Sequence, residues 1–290
     1  MRLRDSLSRL PIGRRNRAPV VAVVRLEGVI APRRWRGALS LEGCDKLFER
    51  AFALPGLVAL ALSINSPGGS PVQSALLYRR IRQLAAEKRV PVFAFAEDVA
   101  ASGGYWLALA GDEVYAEEAS LIGSIGVVTS SFGAHRLIER FGIERRLHTA
   151  GENKAMLDPF LPENPDDVAR VKTLQREIHA IFIALVKQSR GARLKGDDDV
   201  LFSGEYWAGE TSVALGLADG IGDLRSTLRS RYGEKVKMPL VAPASGMLAS
   251  LLGRKSAGTG VLNEFSAAAG LPDELISALE SRAIWAKFGF

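Results

Sequence analysis

The chain has 290 residues, of which 47% are hydrophobic and 24% charged; this suits a folded body with its own core and excludes a disordered or fibrous polymer. A single cysteine, Cys44, rules out a disulfide framework within the chain, and no Cys/His cluster has the spacing of a metal site. The net charge of +6 is unevenly placed: Arg2, Arg4, Arg9, Arg14, Arg15 and Arg17 against Asp5 concentrate it in residues 1–17, so the remainder is nearly neutral, and no basic stripe for nucleic acid is present.

Residues 1–18 form a basic arm. Leu3, Leu7 and Leu10 recur at helical spacing among the arginines, which fits either a short helix on an anionic membrane surface or a solvated, frayed terminus. The apolar stretch Ala18–Val24 is closed by Arg25 and Glu27, too short for a secretory signal, and reads as a first buried strand. The long uncharged run ending at Tyr78 contains Asn65, Pro67, Gly68, Gly69 and Pro71, so it is not a membrane-spanning helix. The expectation is a cytoplasmic protein whose arm could meet the inner membrane face.

Strands then alternate with helices, the signature of an α/β layered fold. Continuous apolar runs predict buried strands at Val20–Val24, Leu57–Ile64 and Val90–Phe95. Helical spacing predicts helices over Leu41–Leu54, with Ser40 as cap, and over Val72–Lys88, with a third starting near Ser102. Further strands are expected at Glu113–Ala116, Ile125–Ser130 and Arg145–His148, with a helix over His135–Phe141. A long helix starts after Asn164, and another covers Ala208–Leu215. The domain reading is the arm, a catalytic domain over 19–238, and a tail over 239–290 with a mobile connection at 240–265 and a last helix at Asp273–Phe288.

Two glycine turns directly follow predicted strands: Asn65-Ser66-Pro67-Gly68-Gly69 and Ala101-Ser102-Gly103-Gly104. Paired glycines let the backbone turn sharply and approach a ligand. A serine before Gly-Gly at a strand-to-helix junction suits acyl transfer, with backbone amides to receive an oxyanion. Either turn alone is also an ordinary tight connection. A serine hydroxyl needs a base, and the candidates are His135, His148, His179 and Lys154. No histidine has a distinctive carboxylate partner in sequence, and His179 is expected on the surface or edge of the long helix. A loop lysine such as Lys154 is most often a solvated charge.

The combination is more specific. The segments Leu62–Ser70, Asp98–Trp106 and Gly123-Ser124-Ile125-Gly126-Val127, with Lys154 lying 52 positions after Ser102, closely resemble the signal peptide peptidase A family, and Gly216–Leu224 matches that family's C-terminal corner. The resemblance implies the Clp protease/crotonase-like fold of stacked β-β-α units, here as one catalytic domain with a helical C-terminal extension. It implies a serine–lysine dyad of Ser102 as nucleophile and Lys154 as general base, with Ser124 orienting the lysine. It further implies that the amides of Gly69 and Gly103 form an oxyanion hole, with no cofactor and no metal. The departure is at the N-terminus, where the membrane-anchored members have a spanning helix and this sequence has its basic arm.

An ordinary lysine titrates near 10.4, so such a dyad needs a dry amine with no carboxylate beside it; Glu152 and Asp158 are expected to point away from Lys154. The substrate would be an extended, apolar peptide that adds a strand beside Gly68 and Ser70 and along residues 125–130. A homo-oligomer is implied by resemblance. Two other readings stay open: a crotonase-like acyl-CoA enzyme, which lacks its usual carboxylates here, and a non-catalytic peptide-binding scaffold.

Overall fold

The computed structural model describes residues 18–32, 38–242, 278–279 and 281–289. The basic arm before residue 18, and the expected mobile connection apart from residues 240–242, lie outside the described residues.

The apolar runs form a parallel sheet because both of their faces are covered. β1 (Val20–Glu27), β2 (Leu57–Ser66), β3 (Val92–Ala101), β4 (Glu113–Ala116) and β7 (Gly220–Ile221) are hydrogen-bonded in the order β1-β2-β3-β4-β7. Alternate residues point to opposite sides. Ala22, Val24, Leu26, Leu60, Leu62, Ile64, Val92 and Ala94 pack towards α1 (Leu41–Phe52), α2 (Pro71–Lys88) and α3 (Gly103–Ala108). Val21, Val23, Ala59, Ala61, Phe93 and Phe95 pack instead with Leu228 and Tyr232 of α8 (Leu224–Tyr232). Each fully buried Val, Leu or Ile contributes roughly 1.5–3 kcal/mol; the second face opens to solvent only towards the end of β1, at Arg25 and Glu27.

A second, shorter set of strand contacts runs beyond the first. β1 is followed by Ile30, which bridges Gly69 beyond the end of β2. β3 pairs with β4 through Phe93–Ala96, then turns at Glu97 and Asp98 and pairs through Val99–Ala101 with β5 (Leu121–Gly123). Asn65 holds that bend: its Nδ2 donates to Asp98 Oδ2 at 2.7 Å, and its Oδ1 accepts from Val99 N at 3.2 Å. Long strand, short strand and helix thus recur for β1, β2 and β3, which is the stacked β-β-α arrangement. β5 also pairs antiparallel with β6 (Tyr206–Trp207).

The cap expected at Ser40 forms, and Ser70 and Asn164 cap helices as well. Ser40 Oγ accepts from Gly43 N, Ser70 Oγ from Gln73 N, and Asn164 Oδ1 from Asp166 N. The remaining helices are α4 (His135–Arg140), α5 (Pro165–Arg190), α6 (Asp198–Leu201) and α7 (Gly209–Ala214); residues 281–286 are helical too. Two expectations are corrected. The strand lies at Leu121–Gly123 rather than Ile125–Ser130, and Arg145–His148 forms no strand. Among the described residues, no neighbouring strand pairs with either segment. From Val128 to Glu163 the chain is an arm with little burial, in which Phe132 is 92% and Phe141 70% exposed. No helix among the described residues is long and apolar enough to cross a membrane.

Candidate active site

Ser102 stands between β3 and α3 with φ 52° and ψ −121°, a left-handed conformation that costs a non-glycine residue on the order of 1–3 kcal/mol. The surroundings impose it. Ser102 N donates to Gly123 O at 2.8 Å, and Trp106 N donates to Ser102 O at 3.0 Å. The turn is sharp enough to lift the hydroxyl out of the sheet, as a nucleophile elbow does.

The second glycine turn lies against it. A β-carbon on Gly68 would fall 2.6 Å from Gly103 N and 2.7 Å from Ser102 Cβ. Gly69 has φ 140°, and a β-carbon there would lie 2.0 Å from Ile30 O. The neighbouring bonds explain this geometry: Ile30 N donates to Gly68 O at 2.8 Å and Ser70 N to Ile30 O at 2.7 Å, which turns the amide of Gly69 the other way. Among the described residues, neither Gly69 N nor Gly103 N donates to a protein acceptor. The two lie close, since a β-carbon on Gly103 would be 3.2 Å from Gly69 N. Two unclaimed amides beside a raised hydroxyl are the elements of an oxyanion hole.

Register brings Ser124 to the same place. Ala101 pairs with Gly123 across β3 and β5, so Ser102 and Ser124 are the next residues on adjacent strands. Ser124 also has φ 52°, and its N donates to Glu205 O at 2.6 Å. Ser102, Ser124, Gly69 and Gly103 line one cavity of about 680 Å³, together with Val127, Val128 and Ser130. Its apolar wall is Trp106 stacked on Phe182 of α5, with ring centroids 4.8 Å apart. Trp106 is 6% exposed, and its indole N–H has no hydrogen-bond partner among the described residues. The chain's own Ile284, Lys287 and Phe288 close another side, where Tyr206 Oη donates to Lys287 O at 3.2 Å and the Tyr206 and Phe288 rings lie 5.1 Å apart. Gly68 and Ser70 border the site through the turn itself, and Ser70 also caps α2.

Lys154 is not brought to this cavity. It sits exposed in the loop between α4 and α5, on the projecting arm. The arm has an internal structure: Arg145 donates to Asp158 Oδ2 at 2.9 Å and stacks over the Phe160 ring, and Ala134 N donates to Pro159 O. The Phe160 amide and Arg145 together hold the Asp158 carboxyl below the usual carboxylate range. Asp158 is thus occupied by Arg145, and among the described residues no ion pair joins Lys154 to Asp158 or Glu152.

His179, a candidate base expected on the surface or edge of the long helix, is the histidine that the fold brings to the cavity. It faces the cavity from α5, with Nε2 2.9 Å from Ile125 O. Its spacing in sequence matches an edge position, and only the packing of α5 across the site turns that edge inward. Nor was the work of the Gly216–Leu224 motif legible. Asp219 accepts both Arg190 Nη1 at 2.7 Å and Nη2 at 3.0 Å, Leu217 O accepts from the buried Tyr105 Oη at 2.8 Å, and Arg190 Nε donates to Gly216 O. The motif ties α3, which carries the site serine, to the end of α5. Among the described residues, no group of three or more His, Cys, Asp or Glu could hold a metal ion.

Comparison with known proteins agrees with these features. The model of peptidase family S49 matches residues 84–250, over half of the chain. The chain belongs to peptidase family S49. It is 31% identical over 228 residues to the chloroplastic serine protease SPPA of Arabidopsis thaliana, which covers 76% of this chain and 33% of that one. It is 29% identical over 174 residues to the probable protease SohB of Haemophilus influenzae, covering 60% and 48%. It is also 52% identical over 275 residues to a Brucella abortus protein named Na(+)/H(+) antiporter NhaA, covering 93% of this chain and 37% of that protein. The chain thus spans about a third to a half of the length of these relatives. Membership of S49 accords with the signal peptide peptidase A resemblance carried by the serine, glycine and lysine motifs.

Proposed function

We propose that this chain is a serine endopeptidase in which Ser102 is the nucleophile and Lys154, supplied by a second copy, is the general base. The observation that carries the reading is the strained Ser102 beside the unclaimed amides of Gly69 and Gly103. Ser102 Oγ adds to the scissile carbonyl while the lysine amine takes its proton, and the oxyanion is received by the two amides. The ammonium returns the proton to the departing amine as the peptide C–N bond breaks. Water, deprotonated by the same lysine, then adds to the acyl carbonyl; the bond to Ser102 Oγ breaks and the ammonium returns its proton to Oγ. Ser124, at the cavity wall next to Ser102, orients the lysine through a hydroxyl that does not favour the charged form as a carboxylate would.

The second copy follows from the arm. Lys154 is exposed, and the arm carries Val128, Phe132, Leu137, Phe141 and Ile143 with more than half of their surface open. Such apolar exposure is characteristic of an interface. A neighbouring copy covering the arm would bury it and bring the amine into a dry cavity, the condition that makes a lysine a base near neutral pH.

The substrate in this reading is an extended, apolar peptide, such as a signal-peptide remnant or a fragment of a membrane protein. Support comes from the Trp106–Phe182 wall and from residues 127–133, none of whose amides donates to a protein acceptor among the described residues. An incoming strand could pair with them. The same reading places the chain in the cytoplasm, its arginine-rich arm resting on anionic lipid.

Covalent labelling tests it. A fluorophosphonate should add once to the wild-type chain, at Ser102, as read by intact mass and peptide mapping, and should not add to Ser102→Ala. An unlabelled wild-type chain that is instead stabilised by acyl-CoA would favour the crotonase-like alternative and overturn the peptidase reading.

A further inference from the structure

The segment following Ser124 has to be held in place if it is to serve as an edge for a substrate strand, and it has few holds of its own. Gly126 N donates back to Ser124 O at 3.0 Å, and the Ile125 side chain is fully buried. From Val127 to Gly133 no amide is engaged among the described residues. The Ile125 carbonyl is fixed from outside by His179. A carbonyl only accepts, so His179 Nε2 carries the proton in this contact and is not free to take one from Ser102 through that nitrogen. His179 stands where α5 changes character: Phe182, Val186 and Arg190 beyond it are buried, whereas Glu177, Arg176 and Leu174 before it are exposed. A rigid, core-anchored helix therefore holds the first residue of an otherwise unpaired edge.

We infer that His179 is a positioning residue for substrate binding: by donating to the Ile125 carbonyl it fixes the 124–130 segment against which the peptide strand is laid. This rests on the peptidase reading and adds to it a residue outside the serine–lysine pair. The role acts on recognition of an extended chain and not on the reactivity of Ser102. One side-chain hydrogen bond to a carbonyl corresponds to a change of about threefold to tenfold.

The test compares the full-length wild-type chain with His179→Leu and His179→Gln, using a quenched fluorescent peptide long enough to extend on both sides of the scissile bond. A fluorophosphonate, too small to need the edge, reports on Ser102 alone. The expected result for His179→Leu is a KM raised about threefold to tenfold, with little change in kcat and a labelling rate like wild type. His179→Gln, whose amide N–H reaches a similar position, should recover most of the lost KM. A KM in His179→Leu equal to wild type overturns the inference. So does labelling that falls in step with hydrolysis, or a glutamine variant as weak as the leucine one. If His179→Leu does not fold, His179→Asn, which is too short to reach Ile125 O, provides the same comparison. A wild-type chain that is not labelled fails the peptidase reading itself; a labelled wild type with an unchanged variant KM fails only the role of His179.

Discussion

Ser102 and Gly69 show two uses of unusual backbone. At Ser102 the left-handed conformation is held in a residue with a side chain by the bonds to Gly123 O and from Trp106 N. At Gly69 a side chain is what the geometry forbids, since a β-carbon would lie 2.0 Å from Ile30 O. Gly69→Ala must therefore displace the turn and with it one oxyanion donor. The expected outcome is a kcat lower by about a hundredfold or more, the order seen when one such donor is lost. Steady-state peptide hydrolysis alongside a thermal melt would check it, and an alanine variant with wild-type kcat would remove Gly69 N from the mechanism. Ser102 was legible in sequence because it leads one of two strand-ending glycine turns, and the pair together is far more specific than either turn alone. The place of His179 was not. A histidine on an amphipathic helix looks alike whether solvent or a catalytic cavity lies opposite, and that is decided by packing between elements 54 positions apart.

At the scale of elements, the strand and helix alternation, the buried strands and the cap at Ser40 were legible, because burial on two faces and capping are local demands written in local sequence. The expected strands at 125–130 and 145–148 failed for the converse reason: strand formation needs a partner, and a short local run cannot report whether one is present. α5 illustrates how elements are coupled. Its last residue, Arg190, is 3% exposed and donates to Asp219, which also accepts from Arg193 and from Val114 N. Burial alone would raise the Asp219 carboxyl, but the Arg190 hydrogen bonds, with those from Val114 and Arg193, hold it below the usual carboxylate range. A carboxyl lowered in the folded state stabilises the fold fully above its unfolded value near 3.9 and loses that contribution as pH falls through the folded one. Wild type should therefore lose stability in acid below about pH 4. Asp219→Asn, which leaves the Arg190 charge buried, should cost about 3 kcal/mol at neutral pH and lack that acid-dependent part. Urea denaturation at pH 7 and pH 3 measures both; an asparagine variant as stable as wild type at pH 7 would contradict the clamp.

At the scale of the molecule, one copy presents two halves that do not meet. The core carries Ser102 beside the unclaimed amides of Gly69 and Gly103, in a cavity closed on one side by Ile284, Lys287 and Phe288, while the exposed arm from Val128 to Glu163 carries Lys154. The 52-residue spacing of Ser102 and Lys154 was legible as a motif, but the sequence does not tell whether the two meet within a chain or between chains. The direct measurement is complementation. Ser102→Ala and Lys154→Ala, each assayed alone, should not hydrolyse peptide. Co-expressed and purified as mixed oligomers, they should regain hydrolysis, because intact serine from one copy then faces intact lysine from another. Activity in either variant alone, or mixed oligomers as inactive as their parents, would contradict a dyad built between copies.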